Sequence, residues 1–287
     1  MAALSALLAA LLWGTADYLG GTAARRLPVI SVLGAQQLIA LLGLVPLAAV
    51  IGAFDEPQAY VLPGIFAGLT GMVALGAFYR ALAIGTMGVV APIAALGVVV
   101  PIALSLLDGE RPGPAQLVGM AVAVVGVVLA SGPELSGRGR GGAVPLLLAG
   151  LAALGFGAVL VLVAEASGGE EGSLGAIVMT LLTMRLASVC VLTVLLLALL
   201  PSRGVEIGVR RGDLPVLVAI GVFDVGANGA YALASQSDLV SVSAVLASLY
   251  PVATVLLARR FQAELLGGVQ LVGVALALIG VVLLAGS

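Results

Sequence analysis

Charged residues are scarce in this chain, which has 287 residues of which 9% are charged and 62% hydrophobic. Its mean hydropathy is +1.26. A soluble domain carries about a quarter charged residues, so there are too few here to cover a water-facing surface. We conclude that the chain is an integral membrane protein. Its net charge of −2 excludes a general electrostatic attraction to nucleic acid.

Several reactive side chains are also missing. The sequence contains no histidine, which excludes histidine-liganded metal sites and Ser-His or Cys-His nucleophilic machinery. Cys190 is the single cysteine, so no disulfide can form within the chain. No glycine-rich nucleotide loop of the Walker type is present. We therefore predict a protein that is not an enzyme and has no cofactor, no bound metal and no direct nucleotide drive.

The chain is instead organised by an internal repeat, a feature that should be sought first in any sequence. The stretch at 62–83 returns at 214–234, and the stretch at 110–130 returns at 264–285. Corresponding residues keep a constant spacing: Glu110 and Glu264 lie 154 residues apart, as do Gly126 and Gly280, whereas Tyr79 and Tyr231 lie 152 apart. Two copies of one apolar unit are therefore predicted.

Each copy contains five apolar runs near the length of about 20 residues that a membrane helix needs. The predicted domains are a first five-helix repeat at 1–132, a linker at 133–143 and a second five-helix repeat at 144–287. The predicted helices cover 2–22, 29–52, 61–83, 88–107, 115–132, 143–166, 174–200, 214–235, 239–260 and 266–285.

Five is an odd number, so the second copy must enter the bilayer from the opposite side. The predicted fold is an all-α membrane protein with ten transmembrane helices arranged as two inverted five-helix repeats. Such symmetry is typical of secondary transporters, which expose a central site to one side and then the other. A duplicated membrane scaffold without a passage is the alternative. We expect a multi-pass protein of a bacterial inner (plasma) membrane, in contact with the lipid bilayer.

Three features together resemble a known family. They are the segment WGTADYLGG at 13–21, the repeated Glu-x5-Gln-x2-Gly block and the five-plus-five layout. The chain is similar in these to EamA-type members of the drug/metabolite transporter superfamily. The resemblance implies export of small metabolites, often amino acids or related solutes, through a cavity lined by helices one to four and six to nine. It names no solute.

Four charged residues lie within the predicted helices, where a charge costs roughly 2.5–3.5 kcal/mol on insertion scales. They are Asp17, Arg80, Arg185 and Asp224. Their depths predict two ion pairs, Asp17 with Arg80 and Asp224 with Arg185. The alternative is that each pair serves solely to hold helices together, and that Arg80 extends to the headgroups. The functional interpretation is that a cavity carboxylate binds a substrate amine or a coupling proton, with Asp224 better placed near the midplane.

Polar and aromatic residues follow these acids at helical spacing. Asn228 and Tyr231 lie four and seven residues after Asp224, so all three share a helix face. The remaining predicted substrate-binding residues are aromatic, although tyrosine and tryptophan also serve as interfacial anchors in membranes: Trp13, Tyr18, Tyr79 and Tyr250.

Other polar, proline and glycine positions are expected to be structural or to assist movement. Gln36 and Gln37 are more typical of hydrogen bonds between helices, and Glu110 of a contact with the N-terminus of the helix that follows it. Prolines interrupt the fourth and ninth runs, where they could act as hinges or as static kinks. The glycine faces of helices five and ten suit packing within a monomer or a homodimer.

Two other functions remain open at this point. A lipid-linked or amphipathic substrate flippase would expect an arginine-rich cavity open sideways to lipid. A membrane-embedded enzyme is less favoured because acid/base groups are not clustered.

Orientation can be predicted from the twelve basic residues, which are all arginine. Nine lie in loops on the side opposite the N-terminus and only Arg111 lies in a loop on the N-terminal side. Basic loops mark the cytoplasmic face, so both termini are expected outside, whereas members of the resembled family usually have them inside. A C-terminal fusion to a reporter that fluoresces only in cytoplasm should stay dark, and a bright fusion would contradict this orientation.

Overall fold

The computed structural model describes residues 1–85, 87–130, 143–168, 173–203, 208–236, 240–262 and 267–285. The predicted linker at 133–143 and Glu264 therefore lie outside the described residues, except for Ala143. Twelve α-helices are present in this described part: α1 Ala2–Ala24, α2 Val29–Val50, α3 Val61–Ile84, α4 Met87–Ala95, α5 Val99–Leu107, α6 Pro114–Ala130, α7 Ala143–Ser167, α8 Leu174–Arg203, α9 Leu214–Ala234, α10 Val240–Ala247, α11 Tyr250–Gln262 and α12 Gly268–Ala285.

Six of these helices are long and apolar enough to cross a membrane: α1, α2, α3, α7, α8 and α9. The remaining apolar helices are shorter. Helical backbone suits this composition because a helix satisfies its own N–H and C=O groups where no water is available. The prediction of an all-helical membrane protein is therefore confirmed, while the number of crossings beyond six stays a prediction.

Two predicted helices are broken in the structure, and they occupy matching places in the two copies. The run at 88–107 divides into α4 and α5 around a 3₁₀ turn at Leu96–Val98, and the run at 239–260 divides into α10 and α11 around Ser248 and Leu249. Pro101 and Pro251 lie in the first turn of the second segment in each case. Proline is tolerated there because the first N–H groups of a helix have no partner within it.

The packing of α6 against α12 shows how the copies are related. A Cβ placed on Gly126 would lie 2.7 Å from the Cα of Ala277, and one on Gly280 would lie 2.8 Å from the Cα of Ala123. These contacts are reciprocal. Gly126 corresponds to Gly280 and Ala123 to Ala277, so each glycine contacts the counterpart of the alanine three residues before it in its own helix. They also place the two helices antiparallel, because residue numbers increase from 123 to 126 along α6 while those of the contacted residues decrease from 280 to 277 along α12. The copies are thus related by an approximate two-fold axis at this interface.

The other helix contacts follow the same two-fold relation between the copies. The first helix of each copy packs on the third helix of the other, as α1 on α9 and α7 on α3. Each first helix also packs on the broken helix of the opposite copy, α1 on α10 and α11 and α7 on α4 and α5, and α2 meets α8. A cavity is left between the halves, lined by residues of both copies.

Two carboxylates join the halves at the N-terminal side, which we define as the ends of the helices next to the 51–60, 108–113 and 168–173 loops. Glu110 accepts hydrogen bonds from the Ser241 hydroxyl at 2.6 Å and the Ser241 backbone N–H at 3.3 Å. Glu56 accepts one from the Ser173 hydroxyl at 2.7 Å, next to the start of α8. The expectation that Glu110 serves its own helix was therefore wrong, because its carboxylate caps α10 of the other copy.

Candidate functional site

A buried ion pair lies at the centre of the cavity between the halves. Nη2 of Arg185 on α8 donates to Oδ2 of Asp224 on α9 at 2.5 Å, and Nη1 donates to Oε1 of Gln37 on α2 at 2.8 Å. Arg185 is 4% and Asp224 7% exposed. The predicted pairing of Arg185 with Asp224 is confirmed, and the guanidinium also joins the two copies through Gln37.

Asp17 differs from Asp224 in its surroundings. Asp17 lines the same cavity and is 7% exposed, so its carboxylate is withdrawn from bulk water. Within the described part of the chain, no ion pair or hydrogen bond reaches this carboxylate. The predicted pair with Arg80 is wrong, because Arg80 is exposed and does not line the cavity. An arginine near a helix end can extend outward in this way while its stem stays on apolar surface.

The cavity is narrow, with about 80 Å³ of space for the centres of water-sized molecules. It has two walls that correspond under the two-fold relation. We call the wall of α1, α9, α10 and α11 the polar wall, and the wall of α7, α3, α4 and the 3₁₀ turn Leu96–Val98 the apolar wall. The polar wall contains Asp17, Asp224, Asn228, Ser248 and Tyr250 together with Trp13. The apolar wall contains Met72, Leu75, Val98, Phe156, Val159 and Leu160.

Individual positions show how the copies have diverged. Gly14 faces the Tyr250 carbonyl and the Ala253 Cβ, and Gly157 faces the Gly97 carbonyl and the Val100 Cβ in the same way. These matching contacts make Gly14 the counterpart of Gly157, so Asp17 corresponds to Leu160 and Trp13 to Phe156. By the constant spacing of the repeats, Asp224 corresponds to Met72. At each of these two positions, therefore, one copy has a carboxylate and the other has an apolar side chain.

Six of the ten predicted site residues line the cavity: Trp13, Asp17, Arg185, Asp224, Asn228 and Tyr250. The side-chain N–H of Asn228 donates back to the Asp224 carbonyl at 2.7 Å, which fixes its orientation. The indole of Trp13 packs on the ring of Tyr231 with centroids 5.9 Å apart. Trp13 and Asp17, one helical turn apart, face the cavity together.

The other four predicted residues lie outside the cavity lining. The Tyr79 hydroxyl donates to Oε1 of Gln36 at 3.3 Å, and the Tyr231 hydroxyl donates to the Leu160 carbonyl at 3.0 Å. Both tyrosines are fully buried and connect the third helix of a copy to its neighbours. Tyr18 instead packs on Phe261, and Arg80 is exposed.

The sequence prediction missed two polar residues of the cavity lining, Gln37 and Ser248. Gln37 was expected to join helices, which it does, but it also lines the cavity beside Arg185. Its neighbour Gln36 does not line the cavity. Adjacent residues on a helix point about 100° apart, and neither the glutamines nor the surrounding apolar residues indicate which one faces inward.

Breaking only one side of the ion pair should destabilise this region. Removing one partner leaves an uncompensated buried charge, which costs about 3–5 kcal/mol. We expect Arg185→Gln or Asp224→Asn alone to lower the melting temperature of the purified protein markedly, and the double variant to recover much of the loss because both charges are gone. Fluorescence-detected size-exclusion after heating measures this, with Tyr18→Phe as a control. A double variant less stable than either single one would contradict the pairing.

The comparisons with known proteins agree with this architecture. No curated protein matches the chain. Among solved structures, one titled only "Crystal structure of protein" aligns with a TM-score of 0.74 at 20% identity, covering 98% of this chain and 95% of that one. At that identity the likeness supports the fold alone.

The family comparison reaches further than the structural one. The EamA-like transporter family matches twice, over residues 1–132 and 143–286. These two matches cover nearly the whole chain and coincide with the two halves related by the antiparallel packing of α6 and α12. The chain therefore belongs to the EamA-like transporter family, within the drug/metabolite transporter superfamily, as a multi-pass membrane transporter and not an enzyme.

Proposed function

We propose that this protein is a secondary transporter that exports small metabolites, such as amino acids or related solutes, across a bacterial inner membrane by alternating access. The observation that carries the proposal is a cavity between two antiparallel copies, with a buried ion pair, a carboxylate without a cation and an apolar wall opposite. Polar groups of this kind inside a membrane are costly and are characteristic of solute pathways.

The proposal includes ten crossings in two inverted five-helix repeats. The two broken helices, at 87–107 and 240–262, are each about as long as the roughly 20 residues that span a bilayer. Discontinuous helices of this kind surround the sites of many transporters, because irregular backbone is tolerated where it lines a cavity. Five crossings in each copy would turn the second copy over, in agreement with the antiparallel contact of α6 with α12.

We also assign a coupling proton to Asp17 rather than Asp224. Asp224 is already neutralised by Arg185, so protonating it would strand the guanidinium, whereas Asp17 has no such partner among the described residues. The helices packed against α1 contribute few other groups that could influence Asp17 at this depth. They are Asp224 and Tyr231 of α9, Tyr79 of α3 and Tyr250 of α11, with Arg185 of α8 sharing the cavity.

Transport can be tested by filling the cavity. Met72 lines the apolar wall, whereas its neighbour Val73 is 52% exposed on the outside of α3. In proteoliposomes, Met72→Trp should reduce flux of a transported radiolabelled solute about tenfold or more, because the larger ring occupies solute space. Val73→Trp adds the same side chain toward lipid and should transport normally.

The solute panel should include amino acids, aromatic amines and a headgroup-labelled phospholipid, with and without a pH gradient. If no water-soluble solute is transported, the proposed transporter function is contradicted. Movement of the labelled lipid alone, blocked by Met72→Trp, would favour a flippase instead.

The carboxylate contacts at the N-terminal side give a test of alternating access. Glu110 bonds Ser241 of the other copy through two donors at the start of α10, so the contact must break if that side opens. We expect Glu110→Gln to increase the labelling of a cavity cysteine from the N-terminal side. Ser248→Cys in a Cys190→Ser background supplies that cysteine, because Ser248 lines the cavity.

A charged, membrane-impermeant thiol reagent reports this accessibility in oriented vesicles. Arg111→Gln is a suitable control, because it changes a neighbouring loop charge without touching the bond to Ser241. Equal labelling rates in Glu110→Gln and the parent would show that this contact does not hold the N-terminal side closed.

A further inference from the structure

The charges of the cavity do not balance. Asp17, Asp224 and Arg185 are the ionisable acids and bases among the described residues that line it. The 2.5 Å contact neutralises Arg185 with Asp224, and the other terminal guanidinium nitrogen, Nη1, donates to Gln37. With its carboxylates ionised, the empty cavity therefore carries one uncompensated negative charge, on Asp17.

An uncompensated charge in such a place has a cost that a ligand can remove. Asp17 is more than nine-tenths buried and has no bonded partner in the described chain. Burying an unpaired charge is strongly unfavourable unless a counter-charge or a proton accompanies it. A cationic ligand group next to Asp17 would supply that counter-charge, and would compete with a proton for the same carboxylate.

Neighbouring groups favour an ammonium on a flat or branched apolar body. Trp13 lies one helical turn before Asp17 and lines the cavity beside it. Aromatic faces attract cations, with tryptophan the strongest. The opposite wall offers Met72, Phe156 and Leu160, which suit an apolar group and provide no charge for a second polar end.

A free carboxylate on the ligand would find poor partners. The Arg185 Nε atom has no hydrogen-bond partner, but it is itself buried and therefore closed to a ligand. The two terminal nitrogens of Arg185 are bonded to Asp224 and Gln37. An approaching carboxylate would meet two acids and a guanidinium that is already paired.

We propose that the substrates of this cavity are amphipathic monocations: primary amines with an aromatic or aliphatic body and no free carboxylate, bound through their ammonium to Asp17. This rests on the transporter function proposed above and narrows its substrate class. Asp17 is the binding residue, and the Arg185–Asp224 pair positions the polar wall without pairing with the ligand.

Three probes of one shape test the proposal on the full chain in nanodiscs. They are 2-phenylethylamine, which is a monocation, phenylalanine, which adds a carboxylate, and 2-phenylethanol, which is neutral. Equilibrium binding by calorimetry should rank the amine first. Its affinity should exceed that of the other two by about thirtyfold or more, as expected for a buried charge pair.

Variants at and beside Asp17 separate binding from folding. Asp17→Asn should remove the preference for the amine, whereas Asp17→Glu should keep most of it because the charge is retained. Tyr18→Phe is the matched control, since Tyr18 is the next residue but lies outside the cavity lining. All variants should elute from size-exclusion as the parent does. If Asp17→Asn does not, the binding role of Asp17 is tested by the preference retained in Asp17→Glu and by the ranking of the three probes.

Several results would overturn the inference: tighter binding of phenylalanine than of the amine, an unchanged preference in Asp17→Asn, or binding of none of the three. Its failure is distinguishable from that of the transporter function. Flux of amino acids in proteoliposomes without amine binding would leave the transporter intact and refute the monocation. Amine binding lost in Asp17→Asn but without flux of any solute would support the site and contradict transport.

Discussion

The Arg185–Asp224 ion pair is the interaction on which the interior depends. A guanidinium buried among apolar helices must be neutralised and hydrogen-bonded, because an unpaired charge there costs several kcal/mol. Asp224 and Gln37 do both, and since they come from opposite copies they also join the halves at their centre. This arrangement offsets the charge of the guanidinium within the protein. In our proposals, the remaining acid, Asp17, is the group that binds a solute or a proton.

The two-fold relation explains how a symmetrical scaffold can hold an asymmetric site. Duplication alone would give two equal walls, each made from the first helix of one copy and the third and broken helices of the other. Differences at a few matched positions, such as Asp17 against Leu160 and Asp224 against Met72, make one wall polar and the other apolar. Backbone packing, shown by Gly126 and Gly280 at the α6–α12 contact, has stayed the same in both.

The sequence was informative about depth along each helix and much less so about direction around it. The repeat and the odd number of runs predicted the relation of the halves, and counting residues from the helix ends was enough to pair Arg185 with Asp224. The same counting failed for Asp17 with Arg80, because similar depth does not require similar facing. These helices are apolar on all sides, so the periodicity that reveals the inner face of a soluble helix is missing. For that reason Gln37 was not recognised in the cavity, and Tyr79 and Tyr231 were placed there although their hydroxyls bond neighbouring helices.

The distribution of tight and breakable contacts limits which parts of the molecule can move. At α6 and α12 the backbones approach so closely that sliding would force Gly126 and Gly280 past neighbouring main chain. Movement is therefore easier at the broken helices, whose segments meet at the 3₁₀ turn Leu96–Val98 and at Ser248 and Leu249. One of these segments, α10, is also held at its N-terminus by hydrogen bonds to Glu110. These bonds can open at little net cost when water takes their place. A rigid pair of bracing helices and a jointed pair beside the cavity is the division that alternating access requires.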